Sequence, residues 1–208
     1  MVAARPEPDW VLVEKLLLNC HEQKILPAVI FNKCDIEPDA KQFLLPYANE
    51  FKTFAVSAKT GEGIEKLRDF ISGKLVVLCG QSAVGKSSLI NALGGSRLET
   101  GELSRKIQRG KNTTRHIEIF DIADGRIADT CGFSVMESVN IKPEELVYYY
   151  DEFVAVQNKC KFANCTHINE PNCEVKRLVK EGKINKNRYE RYVRLYNELT
   201  ERRKKLYD

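Results

Sequence analysis

The chain has 208 residues, of which 43% are hydrophobic and 30% are charged, and its formal net charge is +4. This composition supplies enough apolar side chains for one ordinary domain with an appendage, and it argues against a chain that is disordered throughout. No apolar run approaches the ~20 residues of a membrane-spanning helix, and the first residues lack the pattern of a signal peptide, so we expect a cytoplasmic protein without a membrane partner.

The first 31 residues alternate between short apolar runs and a helical pattern. Met1 to Ala4 predict the end of a strand. Asp9 is a suitable N-cap for the helix that follows, which carries Val13 and Leu17 on one face. Residues 27–31 are continuously apolar, which is typical of a buried parallel strand.

This strand leads directly into Asn32-Lys33-Cys34-Asp35, a sequence of the form N-K-x-D. Open α/β sheets bind ligands at the carboxyl ends of their strands. An aspartate there can accept hydrogen bonds from N1–H and the 2-amino group of guanine, a donor pair that adenine lacks. We therefore expect Asp35 to select guanine, Asn32 to hold the loop and meet the base edge, and the Lys33 stem to lie along the ring. Alone, such a tetrapeptide is more often a polar turn.

Another strand is predicted over Phe51 to Val56, and it ends in Ser57-Ala58-Lys59. The backbone N–H of Ala58 can reach the O6 atom of guanine, although S-A-K alone carries almost no information. A helical pattern over residues 64–71 follows. We include Ser57, Ala58 and Lys59 in the predicted nucleotide site.

The strongest motif lies between an apolar, β-branched run over residues 75–79 and a helical pattern that begins at Leu89. Its spacing, Gly80-x4-Gly85-Lys86-Ser87, is that of a phosphate-binding P-loop. The glycines let successive N–H groups curl around phosphates, Lys86 can reach the terminal phosphates, and the Ser87 hydroxyl can bind Mg²⁺. A glycine-rich turn with an exposed lysine is a weak alternative. The predicted phosphate-binding residues are Gly80, Gln81, Ser82, Ala83, Val84, Gly85, Lys86, Ser87 and Ser88.

Two further motifs concern the γ-phosphate. Residues 94–112 predict a long mobile loop, which ends at Thr113-Thr114. A threonine hydroxyl there, which we assign to Thr114, can complete the Mg²⁺ shell and release it after hydrolysis. A hairpin around residues 124–125 then leads to Asp129-x-x-Gly132, in which Asp129 holds Mg²⁺ through water and the Gly132 N–H bonds the γ-phosphate. Each motif is common in isolation.

The C-terminal third contains a cysteine and histidine cluster, Cys160-x4-Cys165-x-His167-x5-Cys173. Three thiolates and one imidazole form a closed tetrahedral shell for a structural Zn²⁺ ion, with no position left open for catalysis. Buried free thiols are the weaker alternative for such close spacing. A helix is predicted over residues 143–157. Basic residues of the last helices are either solvated or face rRNA phosphates: Arg188, Arg191, Arg194, Arg202, Arg203, Lys204 and Lys205.

The order of these motifs along the chain limits which GTPase families the sequence can resemble. A GTPase usually runs P-loop, switch threonine, D-x-x-G, N-K-x-D and S-A-K, whereas here the base-reading motifs come first. A fold cut in one loop and joined at its old termini keeps its site, and residues 72–74 are where we place that join. Through residues 32–35, 80–88, 129–133 and the cysteine cluster, the sequence resembles the circularly permuted bacterial GTPases called ribosome small-subunit-dependent GTPase A.

The resemblance implies GTP hydrolysis that is stimulated by the small ribosomal subunit late in its maturation, and it has four departures. The family carries an N-terminal OB-fold that binds RNA, and since no strand-rich segment precedes Arg5 we expect a truncated product or a fragment. Ala83 and Cys131 stand where the family usually has glycine and proline. Asn112 stands where the family has a switch histidine. Phe133 follows D-x-x-G and cannot orient a water as the glutamine of Ras-like enzymes does, so we predict slow intrinsic hydrolysis.

We therefore predict an α/β protein: a circularly permuted, three-layer P-loop GTPase domain over residues 1–140 and a small helical zinc-binding domain over residues 141–208. The expected ligands are GTP or GDP with Mg²⁺ and a structural Zn²⁺, and the expected partners of the monomer are the small ribosomal subunit and its rRNA. One alternative is a nucleotide-dependent RNA-binding module with negligible hydrolysis. Another is an ATPase, against which Asp35 argues.

Overall fold

The computed structural model describes residues 1–94, 117–122, 125–130 and 141–205. The chain forms two compact units, one from residues 1–13 and 27–136 and the other from residues 14–26 and 137–208. The structure thus adds residues 14–26 to the second unit, and the proposed domain boundary after residue 140 stays a prediction. No helix of the described ranges is both long enough and apolar enough to cross a bilayer.

Three parallel strands form the first sheet of the first unit, in the order β1 (Val2–Ala3), β2 (Ala28–Asn32) and β3 (Lys52–Ala55). Strands β1 and β3 fall within the predicted segments, and β2 extends one residue beyond the strand predicted over residues 27–31, to Asn32. The last residue of β2 is Asn32, and it is directly opposite Ala3 of β1. The N-K-x-D motif therefore begins at the carboxyl edge of this sheet.

The second sheet has the order β4 (Leu75–Leu78), β6 (Gly125–Thr130) and β5 (Ile117–Ile122). Strands β4 and β6 are parallel, and β5 and β6 form the predicted antiparallel hairpin. The Met1 nitrogen donates a hydrogen bond to the carbonyl of Cys79 at 2.7 Å. Because β1 and β4 are the edges of their sheets, this contact places the two edges side by side.

Helices of the first unit cover the sheets on two sides. They are the N-terminal part of α1 (Trp10–Glu22), then α2 (Ala40–Ala48), α3 (Ile64–Ile71) and α4 (Lys86–Ala92), with a 3-10 turn over Cys34–Ile36. Neighbouring residues of β2 show the two layers, because successive side chains of a strand point to opposite faces. Ile30 packs in a core with residues of α3 and α4, whereas the ring of Phe31 stacks on Phe43 of α2. This is the predicted three-layer arrangement.

The second unit is built from short helices and one long one. A 3-10 helix (Pro143–Tyr149) is followed by α5 (Asp151–Val154), a 3-10 turn (Gln157–Lys159), α6 (Glu174–Lys180) and α7 (Lys186–Lys204). The prediction of one helix over residues 143–157 is wrong, because Tyr150 has extended backbone angles, φ −124° and ψ 92°. Its buried ring packs between Phe153 and Tyr192, with centroids 5.0 and 5.1 Å away.

A buried ionic cluster joins residue 14 of α1 to α7 within the second unit. The Glu14 carboxylate lies 3.0 Å from Nε of Arg191 and 3.8 Å from Nε of Arg188, and the side chains of Glu14 and Arg188 are only 2% and 3% exposed. Arg188 also contacts Glu152 at 3.3 Å, and its guanidinium lies over the Tyr150 ring. The expectation that Arg188 and Arg191 are solvated or face RNA is therefore wrong, since both are held inside the unit.

Neutralising Glu14 tests this cluster. Glu14→Gln keeps the side-chain volume but leaves two guanidinium groups with less compensation in a buried site, so we expect the free energy of unfolding to fall by about 3 kcal/mol. Urea denaturation measures the change.

The matched control is Glu198→Gln. Glu198 pairs with Lys15 of α1 at 2.6 Å, but its side chain is 34% exposed. Ion pairs that solvent reaches in this way contribute about 1 kcal/mol or less. Equal losses in the two variants would show that the Glu14 cluster contributes no more than a surface ion pair.

Candidate functional site

The P-loop has the backbone that its glycines allow. Gly80 and Gly85 have φ angles of 154° and 92°, and α4 begins immediately after Gly85. A Cβ on Gly80 would lie 2.2 Å from the carbonyl oxygen of Met1, and one on Gly85 would lie 2.5 Å from Nδ2 of Asn32. Both glycines are therefore required by close approaches of neighbouring groups.

Lys86 opens α4 and folds back over the loop. Its Nζ donates to the carbonyls of Gly80 at 2.9 Å and of Gln81 at 2.8 Å. The ammonium group is thus held at the mouth of the loop, where it can neutralise phosphate charge. Ser87, the predicted Mg²⁺ ligand, is the next residue of the same helical turn and is half-buried.

Ala83 is strained within this loop. Its φ of 62° lies in the left-handed region, which costs a residue with a Cβ about 1–2 kcal/mol. Ala83 stands where the resembled family usually has glycine, and the strain of its left-handed φ is the physical consequence of that difference. Neighbouring groups must hold the loop in this conformation for it to persist.

The Asn32 side chain connects three loops of the site. It is buried, its Nδ2 donates to the carbonyl of Val84 at 2.9 Å, and its Oδ1 accepts from the Ala58 N–H at 3.1 Å. The N-K-x-D, P-loop and S-A-K segments therefore meet at one amide. We expect the Ala58 N–H to bond guanine O6, but in this structure it donates to Asn32. To bond guanine as well, the N–H must be shared between the two acceptors, or the loop must shift slightly.

The side chains of Lys33 and Asp35 form hydrogen bonds with different segments of the chain. Lys33 Nζ donates to the carbonyls of Ala83 at 2.9 Å and Arg5 at 2.6 Å. Asp35 is exposed, and its Oδ1 accepts from the Ser57 hydroxyl at 2.7 Å. Ser57 is fully buried, so it fixes the direction of the carboxylate that we expect to read the base. The remaining residue of the S-A-K loop, Lys59, is exposed.

Sequence reasoning did not find the contacts of the Gln81 side chain. Its Oε1 accepts from the Asp9 N–H at 2.9 Å, and its Nε2 donates to the Glu7 carbonyl at 3.2 Å. Asp9 caps α1, since its Oδ1 accepts from the Leu12 N–H at 2.9 Å. These contacts join residues more than 70 positions apart, and no local pattern in the sequence indicates them.

The γ-phosphate motifs lie mostly outside the described residues. Thr113, Thr114 and Gly132 all lie outside the described ranges, so their catalytic roles stay predictions. Asp129 belongs to β6, where its backbone is paired with Leu78, the last residue of the strand before the P-loop. This register puts the D-x-x-G strand beside the P-loop strand.

The cysteine and histidine cluster forms a compact donor set. The three Sγ atoms and the nearest imidazole nitrogen all lie within 4.8 Å of one another. Nδ1 of His167 lies 3.2 Å from Sγ of Cys173 and 3.7 Å from Sγ of Cys160. Tetrahedral Zn²⁺ with Zn–S bonds of about 2.3 Å separates its sulfur ligands by about 3.8 Å, so the spacing fits a metal centre.

The burial of this cluster also suits a cation. Burial, together with the neighbouring thiol of Cys173, raises the pKa of the Cys165 thiol to about 12. Burial lowers the pKa of His167, which favours the neutral imidazole that ligates metals. Nε2 of His167 is buried and has no hydrogen-bond partner within the described residues. Nδ1 is the nitrogen that faces the sulfurs, as its distances to Cys160 and Cys173 show.

Backbone and aromatic contacts hold the cluster in place. The Glu174 N–H points to Sγ of Cys160 at 3.3 Å, and the Tyr189 hydroxyl donates to the His167 carbonyl at 2.7 Å. Burial alone would raise the pKa of Glu170, but hydrogen bonds such as the one from the Thr166 N–H at 2.7 Å outweigh it and lower that pKa. The ligands thus sit on a loop that α6 and α7 fix from outside.

Comparison with known proteins places this site in a family. The RsgA GTPase family model matches residues 1–139. The small ribosomal subunit biogenesis GTPases RsgA of Agathobacter rectalis and Clostridium kluyveri are 42% and 39% identical, over 97% and 96% of this chain and 68% and 71% of theirs.

Two solved structures have the same architecture. YjeQ from Thermotoga maritima is 35% identical, with a TM-score of 0.75 over 96% of this chain and 69% of that chain. YloQ, described as a circularly permuted GTPase, is 28% identical, with a TM-score of 0.73 over 97% of this chain and 67% of that chain. The early position of N-K-x-D and the meeting of its Asn32 with the P-loop agree with these matches. The chain belongs to the RsgA GTPase family and has its circularly permuted GTPase fold.

Proposed function

We propose that this protein binds and hydrolyses GTP and acts in the maturation of the small ribosomal subunit. The observation that carries the proposal is that Asn32 and Lys33 of N-K-x-D bond the P-loop carbonyls of Val84 and Ala83 across the permuted chain. The names of the relatives supply the biological setting, since they are small ribosomal subunit biogenesis GTPases.

The geometry supports guanine as the base. Asp35 is exposed at the carboxyl edge of the first sheet, and Ser57 orients its carboxylate from a buried position. A carboxylate accepts the N1–H and 2-amino donors of guanine, whereas adenine would leave it unpaired. At the P-loop, Lys86 and the backbone N–H groups would bind the phosphates of the same nucleotide.

Catalysis in this site rests on positioning and charge neutralisation. Lys86 would compensate the negative charge that develops on the phosphates, and the P-loop backbone would hold them in line for attack by water. The hydroxyl of Ser87, with Thr114 and Asp129, would hold Mg²⁺, which supplies further charge compensation when bound. Since Phe133 cannot orient water, we expect the ribosomal partner to provide what the isolated chain lacks.

The exposed basic residues of α7 support an rRNA contact. Arg188 and Arg191 are unavailable because they pair with Glu14. Arg194, Arg202 and Lys204 are on the same helix and are exposed, and Arg194 and Lys204 make surface ion pairs with Glu198 and Glu201. Such residues would bind rRNA through its phosphates, without recognising a particular base sequence.

We also propose that the protein is cytoplasmic and monomeric.

Zinc is the metal that best fits the second unit. Three thiols and an imidazole nitrogen are a donor set of structural Zn²⁺ sites. All four donor atoms lie close enough together here to bind one ion. The ion would neutralise buried thiolates and fix the loop between α5 and α6. Its contribution would be to folding, with no coordination position open to substrate.

Single-turnover GTP hydrolysis, with and without purified small ribosomal subunits, tests the function. We expect a slow rate for the isolated protein and stimulation of at least about tenfold by the subunits, because the partner must complete the water-orienting machinery. A fast rate for the isolated chain would contradict this mechanism. Nucleotide binding without stimulated turnover would favour the RNA-binding module with negligible hydrolysis.

Base specificity is tested by Asp35→Asn. An amide can accept from the N1–H of xanthine and donate to its 2-oxo group, but it faces the 2-amino group of guanine with a donor. We expect GDP affinity to fall by at least about 100-fold and xanthosine diphosphate affinity to rise, as measured by calorimetry.

Asp39→Asn is the matched control, because Asp39 is an exposed carboxylate four positions further along. It should leave both affinities unchanged. If Asp35→Asn behaves like this control, the base is read elsewhere.

Removal of zinc tests the metal centre. We expect one Zn²⁺ per chain, and a chelator should reduce helical circular dichroism because the loop between α5 and α6 loses its fixed ligands. Cys165→Ser should lose the metal, whereas Cys20→Ser, which changes a thiol of α1, should retain it. A zinc-free protein with undiminished helicity would refute the structural role.

A further inference from the structure

Two side chains of the nucleotide site, those of Lys33 and Gln81, bond the backbone of residues 5–9. Lys33 Nζ donates to the Arg5 carbonyl at 2.6 Å. The Gln81 side chain bonds the carbonyl of Glu7 and the N–H of Asp9. The base-recognition loop and the P-loop therefore share one backbone segment as an anchor.

The anchor is itself ordered by secondary structure. Asp9 caps α1 through the Leu12 N–H, and residues 2–3 belong to β1. The segment between them has a fixed start and a fixed end, so a side chain bonded to it is held in position. Gln81 uses both ends of its amide there, one as acceptor and one as donor.

The position of Gln81 affects the phosphate-binding groups directly. Its own carbonyl accepts from Lys86 Nζ at 2.8 Å, so a displaced Gln81 backbone would displace the lysine. Two residues further on, Ala83 has a left-handed φ of 62°, which its Cβ disfavours. On the other side, the loop is held by Lys33 at Ala83 and by Asn32 at Val84.

We propose that Gln81 is a positioning residue that holds the P-loop in its phosphate-binding conformation against the strain at Ala83. The inference rests on the proposed function, because it concerns the affinity of the same site for guanine nucleotides. It adds that the need for the Gln81 amide arises from the alanine at position 83. With glycine there, the loop takes the same conformation without strain and the clamp becomes dispensable.

The test is a double-mutant cycle on the full chain, with GDP and Mg²⁺ as the probe and calorimetry as the measurement. The four proteins are wild type, Gln81→Ala, Ala83→Gly and the double variant. We expect Gln81→Ala to weaken GDP binding about tenfold in the wild-type background and less than about threefold in the Ala83→Gly background. The KM for GTP should rise by the same factor as the dissociation constant.

Two further variants make the result specific. Gln81→Met keeps the side-chain length and adds no charge beside the phosphates, but it can neither accept from the Asp9 N–H nor donate to the Glu7 carbonyl, so it should weaken binding like Gln81→Ala. Gln42→Ala removes an exposed glutamine of α2 that bonds Asp39 at 2.7 Å, and it should change nothing. Thermal unfolding of each variant checks that the fold is retained.

The outcomes separate this inference from the proposed function. If Gln81→Ala has no effect, or an equal effect in the wild-type and Ala83→Gly backgrounds, the positioning role is overturned while GDP binding by the wild type stands. If the wild-type protein does not bind GDP, the proposed function and this inference both fail. Recovery of affinity in the double variant supports the inference, because a purely structural loss at Gln81 would not depend on residue 83.

Discussion

The nucleotide site depends on the buried amide of Asn32. One side chain joins the carbonyl of Val84 in the P-loop to the N–H of Ala58 in the S-A-K loop, and it does so from the last residue of β2. A buried amide that loses one of these partners leaves a polar group unpaired, at a cost of about 1–3 kcal/mol. Gly85 is required because a Cβ there would lie 2.5 Å from this amide. The Asn32 side chain thus ties the end of β2 to both the P-loop and the S-A-K loop.

Circular permutation leaves this arrangement intact because the contacts are spatial. The Met1 backbone meets Cys79, so the edge of the first sheet lies beside the strand that enters the P-loop. The register of β4 with β6 then puts Asp129 beside Leu78. The N-K-x-D motif, the P-loop and the D-x-x-G motif therefore begin at the carboxyl ends of strands β2, β4 and β6 of neighbouring sheets, whatever their order along the chain. A site assembled from strand ends does not depend on where the chain is cut.

Much of the first unit could be predicted from the sequence because its signals are local. The strands, α3 and the P-loop follow from apolar runs, helical spacing and glycines. The predictions that are wrong share one physical cause, which is that the deciding contact is made with a residue distant in the sequence. Arg188 is buried because its partner Glu14 lies on another helix, and no pattern around Arg188 indicates this. Tyr150 breaks a helical pattern because its ring enters an aromatic core. The Gln81 clamp likewise joins distant segments of the chain. Helix α2, which contains Pro46, was not predicted from the sequence.

The central claim is that Asp35 and Lys86 bind opposite ends of one guanine nucleotide. A crystal structure of the protein with GDP and Mg²⁺ tests it most directly. The account predicts the Asp35 carboxylate within hydrogen-bonding distance of both N1 and the 2-amino group, and the diphosphate inside the loop of residues 80–87 with Lys86 against it. A purine located away from Asp35, or a diphosphate outside that loop, would contradict it.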